Sequence, residues 1–184
     1  MNYRPAIKVM PNVTLVPPEL DMAEPLLETI KGNLSHLSTF LDFVKEDVTL
    51  EDEQSYLKMM IQQHADNKAR LFLIYYDETL IGTIDLHNIQ VTHQKAEVGY
   101  WIAEGYTGKQ IVTNCVNYLC HYAFEILALN KLTIMADKRN IASNKVAKKV
   151  GFTFVATDVE DVFDGEHFRD MNRYVLFRKH FLNK

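Results

Sequence analysis

The chain has 184 residues, of which 47% are hydrophobic and 24% charged, and its formal net charge is −4 at pH 7. This length suits one domain with a real core, which we expect over residues 1–184. The mixed charge excludes the strongly basic footprint of a nucleic-acid-binding domain. No apolar run approaches the ~18 residues that span a bilayer, and the first residues lack a secretory pattern. We therefore expect a cytoplasmic protein without a nucleic-acid or membrane partner.

The first third of the chain predicts one short strand followed by helices. Residues 13–16 suit a strand that stops at Pro17 and Pro18, because proline can neither continue a ladder nor lie inside a helix. Two helices are predicted over 22–31 and 35–44. Thr49, with acidic residues in the following turn, opens a longer helix that reaches about residue 67.

The remainder of the chain predicts strands with two further helices between them. In chain order the elements are strands over 71–76 and 80–86 joined by a polar turn, a strand over 96–102, a helix over 110–127, a strand over 131–136, a helix over 143–150 and strands over 152–159 and 168–178. Hairpin strands followed by a strand–helix–strand unit indicate a mixed sheet flanked by helices, which is an α/β (α+β) fold.

Residues 97–112 form the first segment with a chemical signature. Their sequence, EVGYWIAEGYTGKQIV, predicts a strand that enters a glycine-bearing turn and leaves it as a helix. Glycines allow successive amide groups to point into one concavity, and a helix N-terminus adds unpaired donors and a positive dipole end. Such a turn suits a phosphate or pyrophosphate. Two glycines in a turn are also common for purely structural reasons, and the spacing is neither GxGxxG nor that of a P-loop.

The second segment is NIASNKVAKKVGF at residues 140–152. Ser143 or Asn144 would cap a short helix, and Gly151 would close it ahead of a core strand. Taken alone, this is equally consistent with ordinary capping.

Together, the two segments resemble the GNAT superfamily of acyl-CoA-dependent N-acetyltransferases. GYTGKQ at 105–110 lies where that family has its pyrophosphate loop, Q/R-x-x-G-x-G/A, although only Gly108 fits and Gly105 and Gln110 depart from it. NLSHLSTFLDFV at 33–44, VGYWI at 98–102 and EDVFDG at 160–165 resemble the branch that acetylates ribosomal-protein N-termini, with Phe40 where tryptophan is usual. The resemblance implies a mostly antiparallel, twisted GNAT-like sheet with helices on both faces and a splayed central strand pair.

The resemblance also implies acetyl-CoA as the acyl donor and assigns residues to it. Loop amides would hold the pyrophosphate, a strand would run beside the pantetheine arm, and Asn140 would hydrogen-bond a pantetheine amide. The loop residues are Tyr106, Thr107, Gly108, Lys109, Gln110 and Ile111, and the strand residues are Tyr100, Trp101 and Ile102. Trp101 also suits core packing. A basic cluster at 138–149 could meet the CoA 3′-phosphate or could be a solvated helix face.

Catalytic roles follow from the same resemblance. Many family members protonate the departing thiolate with a tyrosine four residues before the GF glycine, but that position is Ala147, so Ser143 is the candidate for this contact. The base that takes the amine proton would be Glu97, Glu160 or Asp161, with Asp161 preferred. Because successive strand residues face opposite sides, only one of Glu160 and Asp161 should point into the cleft.

We therefore expect direct attack of an amine, best a ribosomal-protein N-terminal α-amine, on the thioester. Two alternatives stay open. A polyamine or antibiotic acetyltransferase would have an acidic cleft in place of a groove open to a peptide, and a non-catalytic acyl-CoA-binding module would show no turnover. The seven histidines have no HExxH or paired spacing, so no metal is expected. Assembly into a homodimer stays open as well.

Overall fold

The computed structural model describes residues 6–183 and contains a single eight-stranded sheet within that span. The strands are β1 (Ile7–Met10), β2 (Val13–Val16), β3 (Arg70–Tyr76), β4 (Thr79–Gln90), β5 (Lys95–Ile102), β6 (Lys131–Asp137), β7 (Thr153–Phe163) and β8 (Phe168–Phe177), in the spatial order β1-β2-β3-β4-β5-β6-β8-β7. Every neighbouring pair is antiparallel except β5 and β6, which are parallel. The prediction of a mixed, mostly antiparallel sheet is confirmed.

Helices lie on both faces of the sheet. They are α1 (Ala23–Lys31), α2 (Leu34–Leu37), α3 (Leu50–Ala65), α4 (Ile111–His121), α5 (Ile141–Val150) and α6 (Arg178–Leu182). One core cluster joins the sheet to α4, α5 and α6, and a second joins it to α1, α2 and α3. Alternate residues of β5 divide between these cores, since Val98 and Ile102 belong to the first and Trp101 to the second.

The N-terminus of α3 has the cap that the sequence predicted. The Thr49 hydroxyl oxygen accepts a hydrogen bond from the Asp52 amide at 3.2 Å, and the Asp52 carboxylate accepts one from the Thr49 amide at 2.9 Å. These reciprocal bonds satisfy two donors that would otherwise lack partners at the helix start. They orient α3 against the sheet, where Leu57 and Met60 are buried.

The central parallel pair separates part-way along its length. β5 and β6 are paired only from Lys95 with Lys131 to Glu97 with Thr133, although β5 continues to Ile102 and β6 to Asp137. Beyond Glu97 the edge of β5 that faces β6 therefore lacks a strand partner. This is the expected splay, and it opens a cleft in the middle of the sheet.

Several element boundaries differ from the prediction. The helix predicted over 35–44 is only α2, and the chain after Leu37 continues in turns. The helix predicted over 110–127 changes to a wider turn at Tyr122–Ile126, and the strand predicted to end at 159 continues to Phe163. β1 and α6 were not predicted, because segments of four and five residues are too short to show a clear periodicity.

Candidate active site

A cavity of about 610 Å³ occupies the space that the splay opens. Its walls are the end of β5, the glycine-bearing turn, the first turn of α4 and the start of α5, with α2 at one side. The predicted cofactor residues that line it are Tyr100, Trp101, Ile102, Tyr106, Thr107, Gly108, Gln110, Ile111, Asn140 and Ser143. Lys109 is the exception: its ammonium group lies 4.8 Å from the centre of the Tyr106 ring.

The turn before α4 presents its backbone to this cavity. Gly108 has φ +74° with open space where a Cβ would lie, whereas Gly105 needs no positive φ. Gln110 has φ +61° at the N-cap of α4, and its side chain caps no amide. The first-turn amides of α4 are therefore left for another acceptor. The amides of Tyr106 and Thr107, in contrast, already donate to the carbonyls of Ala103 and Glu104.

Two hydroxyl groups meet on the opposite wall. The Tyr100 hydroxyl lies 3.0 Å from the Ser143 Oγ, and it also donates to the Ser143 carbonyl at 3.3 Å. Burial raises the pKa of Tyr100 to about 12, so its phenol is neutral and keeps its proton at neutral pH. Ala147, at the position of the missing family tyrosine, is fully buried. The hydroxyl nearest to Ser143 thus comes from β5.

The prediction that Ser143 or Asn144 caps α5 is wrong. The helix begins at Ile141, and the cap is the Asn140 side chain, which accepts a hydrogen bond from the Ser143 amide at 3.0 Å. This bond occupies the side-chain carbonyl oxygen of Asn140 and leaves the side-chain NH₂ group available to donate. The Ser143 hydroxyl therefore has no capping role.

Asn144 anchors this end of α5 to the sheet. Its amide group donates to the carbonyls of Asp137 and Asn140 at 2.9 and 2.7 Å, and its carbonyl oxygen accepts from Asn172 and Tyr174, each at 2.7 Å. A buried amide with all its hydrogen-bonding capacity used stabilises a single arrangement. Ser143 is held in place by this network.

Part of the predicted basic cluster reaches the cavity. Arg139, Lys145 and Lys149 are among its lining residues, whereas Lys138 pairs with Asp170 at 3.4 Å. Arg139 also pairs with Asp137 at 3.0 Å. The cavity therefore has basic side chains at its α5 side in addition to the amide donors at α4.

None of the three carboxylates predicted as the base lines the cavity in the β5–β6 splay. Glu97 points to the face of β5 opposite Tyr100, where it is 3.5 Å from the His87 Nε2 and accepts a hydrogen bond from Asn88 at 3.0 Å. Glu160 and Asp161 are exposed on β7 and do not line the cavity. They lie in a bulge between Asp158 and Val162, so the alternation of strand residues does not decide which of them faces the cleft.

His87 lies beside two carboxylates, and sequence reasoning missed it. Its Nδ1 lies 2.6 Å from the Asp85 carboxylate. Burial opposes protonation, but the hydrogen bond to Asp85 and the charges of Asp85 and Glu97 outweigh it and raise the pKa of His87 above 6.5. Opposite Asp85 lies Gly99, where a Cβ would come within 2.8 Å of the carboxylate. The spacing of Asp85 and His87 in one strand was the available signal, since residues two apart share a face.

A second cavity of about 570 Å³ lies between α1, α3 and the sheet. Glu53 and Tyr56 of α3, Thr83 of β4 and the segment 42–48 contribute to its walls. Trp101 lines both cavities, so the two lie on either side of one β5 side chain. Sequence reasoning missed this cavity because its residues are far apart in the chain.

A buried arginine links three segments of the chain near the site. Arg169, which is 5% exposed, pairs with Asp42 and also approaches Asp137 at 3.5 Å and Asp164 at 3.7 Å. Burial alone would raise the pKa of Asp137, but hydrogen bonds and charge from Arg139, together with Arg169, lower it. Arg169 thereby joins the segment after α2 to the end of β6 and to the β7–β8 turn.

Two negative observations concern residues 6–183 alone. No three histidine, cysteine, aspartate or glutamate side chains in that span are grouped so that they could hold a metal ion. Within the same span, every helix is too short or too polar to cross a membrane.

A family model described as an acetyltransferase (GNAT) domain matches residues 12–153. The match includes the splayed strands, the glycine-bearing turn and α5. The chain therefore belongs to the GNAT acetyltransferase family, and it is an N-acetyltransferase.

Individual relatives agree with this assignment. YdaF of Bacillus subtilis (strain 168), provisionally named a ribosomal N-acetyltransferase, is 31% identical over 173 residues, which cover 94% of each chain. The ribosomal-protein-serine acetyltransferase of Escherichia coli (strain K12) is 26% identical over 168 residues, covering 91% of this chain and 94% of that protein. A solved structure of the microcin C7 self-immunity acetyltransferase MccE with acetyl-CoA and AMP has a TM-score of 0.89 and 25% identity, covering 93% of this chain and 95% of that one.

Proposed function

We propose that this protein transfers the acetyl group of acetyl-CoA to a protein N-terminal α-amine, with ribosomal proteins as the first acceptors to test. The observation that carries the proposal is the cavity in the β5–β6 splay, where the amide donors of α4 and the Tyr100–Ser143 hydroxyl pair share one space. The similarity to MccE, which was solved with acetyl-CoA, supports acetyl-CoA as the donor. The two relatives named for ribosomal-protein acetylation support the acceptor.

Acetyl-CoA would lie along the cleft with its pyrophosphate at the turn before α4. The amides of 108–113 would donate to the phosphate oxygens, and Arg139, Lys145 or Lys149 would meet the 3′-phosphate. The pantetheine arm would pair with the edge of β5 beyond Glu97, which lacks a strand partner. The Asn140 amide group, which the cap leaves available, would donate to a pantetheine carbonyl.

The reaction is direct transfer. A neutral amine attacks the thioester carbonyl, a carbon–nitrogen bond forms, and the carbon–sulfur bond breaks as the thiolate departs. Ser143 passes its hydroxyl proton to the thiolate as it takes a proton from the adjacent Tyr100 hydroxyl, and water returns to Tyr100 the proton that the attacking amine releases. Backbone amides of β5 polarise the thioester carbonyl, a contribution of roughly 2.7–4 kcal/mol per donor in comparable sites.

The proton that the ammonium form of the amine loses before attack goes to a carboxylate. Glu97, Glu160 and Asp161 remain the candidates, and because none of them lines the cavity they would act through water. An α-amine has a pKa near ~8, against ~10.4 for a lysine side chain, so a carboxylate site suits the α-amine better. Glu97 has the additional feature of lying 3.5 Å from His87, whose pKa is raised above its usual value by Asp85 and Glu97 against the effect of burial.

The experiment compares free and blocked peptides. Peptides with an N-terminal serine or alanine should release CoA thiol from acetyl-CoA, and mass spectrometry should place the acetyl group on the α-amine. The same peptides with a formylated N-terminus should give no thiol. Equal thiol release from free and formylated peptides, or acetylation of lysine side chains alone, would refute the proposed acceptor.

A further inference from the structure

The corner between α1 and α2 contains the sequence NLSHL, residues 33–37, which resembles the ribosomal-protein branch of the family. His36 and Leu37 line the cavity in the β5–β6 splay, so this corner forms part of the cavity wall. Asn33 begins the segment at the N-cap of α2 and does not line the cavity. Any effect of Asn33 on the site must therefore be transmitted through another residue.

Asn33 is a capping residue by position but not by contact. Asparagine is favoured at an N-cap because its side-chain oxygen can accept a hydrogen bond from the first turn of its own helix. Within the described part of the chain, however, no amide of α2 donates to the Asn33 side chain. Its Oδ1 instead accepts a hydrogen bond of 2.9 Å from the backbone amide of Glu104, 71 residues further along the chain. The side chain therefore joins two elements where it could have capped one.

The Glu104 amide belongs to the turn before α4. It is the first amide of a single 3₁₀ turn, Glu104–Tyr106, and the first amide of a helix lacks an acceptor within that helix. The Glu104 carbonyl accepts hydrogen bonds from the Thr107 amide at 3.1 Å and from the Thr107 hydroxyl at 2.8 Å. Glu104 is therefore held on both sides, by Asn33 at its amide and by Thr107 at its carbonyl.

The other end of the Asn33 side chain is anchored to the sheet through α1. Its NH₂ group donates to the Thr29 carbonyl at 2.8 Å. The Thr29 hydroxyl is shared between the carbonyls of Pro25 and Leu80, at 2.8 and 3.1 Å, and Leu80 belongs to β4. The hydrogen bonds thus run from β4 through Thr29 and Asn33 to Glu104. They fix the turn before α4 relative to the α1–α2 corner and to the sheet.

We propose that Asn33 is a positioning residue for CoA binding. It holds the turn before α4 in the place where the amides from Gly108 onwards face the CoA phosphates. The inference rests on the proposed function in one respect, that CoA binds at this turn. Without the bond from Asn33, the Glu104 amide would have to find water as its acceptor, and the turn would be free to shift away from the wall that α2 forms.

The test removes each partner of the bond separately. Asn33→Ala removes the acceptor, and Glu104→Pro removes the donor. Proline suits position 104, because this is the first residue of the 3₁₀ turn and Ala103 before it is already extended, with φ −57° and ψ 142°. Calorimetric titration with CoA should give a dissociation constant raised by roughly tenfold in each variant, as the loss of one hydrogen bond predicts. The double variant should bind CoA like either single variant, because both changes remove the same bond.

Thr39→Ala is the matched control. It removes one side-chain hydrogen bond, to the Ser35 carbonyl at 3.0 Å, close to α2 but outside the cavity. This variant should bind CoA like the wild type. Amide hydrogen exchange, followed by NMR without CoA, provides a second measurement: the Glu104 amide should exchange roughly tenfold faster in Asn33→Ala than in the wild type. Thermal unfolding shows that each variant is folded.

Unchanged CoA affinity or unchanged exchange of the Glu104 amide in Asn33→Ala would overturn the inference. Losses of affinity that add in the double variant would also overturn it, because independent effects add whereas the loss of one shared bond does not. A wild type that binds CoA but acetylates no amine would refute the proposed function alone, and the binding measurements would still decide the role of Asn33. A wild type without affinity for CoA would overturn both.

Discussion

At the scale of single residues, the site depends on pairs that are far apart in the sequence. Tyr100 and Ser143 are 43 residues apart, and their hydroxyl groups come together because β5 and the start of α5 line the same cavity. Asn140 holds the first turn of α5, so the Ser143 hydroxyl is not required for capping. The Ser143 hydroxyl is therefore available to contact the departing thiolate.

Ser143→Ala should therefore lower kcat by roughly 100-fold, the lower end of the range for general acid–base catalysis. The KM for acetyl-CoA should change little, because the hydroxyl contact strengthens only as negative charge develops on sulfur. Steady-state kinetics with a peptide acceptor separate the two parameters. A raised KM at unchanged kcat would make Ser143 a binding residue, and a lowered melting temperature alone would make it a structural one.

His87 makes stability depend on pH in a direction that the structure fixes. The pKa of His87 is raised in the folded protein. Its contribution to the free energy of unfolding is therefore fully present below the pKa of the unfolded chain, about 6.5, and is lost as the pH rises through the pKa of the folded protein. The melting temperature of His87→Gln should therefore fall furthest below the wild type at acidic pH, and the difference should shrink as the pH rises.

His93→Gln serves as the control for this measurement, because His93 is exposed in a short turn outside the sheet. It should follow the wild type throughout. A deficit in His87→Gln that grows with pH would mean that the charged pairs with Asp85 and Glu97 do not stabilise the fold.

At the scale of elements, the turn before α4 provides main-chain donors whatever its side chains are. The family pattern fits only Gly108, yet both Gly108 and Gln110 adopt left-handed backbone conformations. The departure at Gln110 therefore leaves the shape of the turn intact, at the cost of some strain, because glutamine has a Cβ in a region that favours glycine.

Gly108→Pro should weaken CoA binding strongly, since proline removes an amide donor and cannot adopt φ +74°. Gly105→Ala is the matched control, because Gly105 has open space around it and needs no positive φ. Lys109→Ala should also have little effect, since its ammonium group lies over Tyr106. Equal losses in Gly108→Pro and Lys109→Ala would indicate that side-chain charge, rather than the backbone, holds the pyrophosphate.

The elements also show how far the sequence could predict the fold. Apolar periodicity, the Thr49 cap and the glycine at 151 located α1, α3, α5 and the central strands to within a few residues. β1 was missed because it has only four residues, and the end of β7 was missed because a bulge between Asp158 and Val162 interrupts the alternation of the strand. The length of α2 was overestimated, because apolar spacing suited a helix to residue 44 whereas the segment after Leu37 forms turns.

At the scale of the whole molecule, the sheet separates two chemical environments. The cavity between β5 and β6 has amide donors and basic side chains suited to an anionic cofactor, and the cavity beyond Trp101 is lined mainly by carboxylates among its charged groups. The sequence could predict the first, because loop, strand and helix are contiguous from 97 to 112. It could not predict the second, because Glu53, Tyr56, Thr83 and Trp101 meet only through the packing of α3 on the sheet.

Acetyl transfer by this protein requires acetyl-CoA to enter the cavity in the β5–β6 splay. Calorimetric titration of the intact protein with acetyl-CoA tests this most directly, in parallel with and without EDTA. We predict one saturable site per chain with the same affinity in both conditions, since main-chain amides and basic side chains hold the phosphates. Absence of binding at millimolar acetyl-CoA, or binding that EDTA abolishes, would contradict the account.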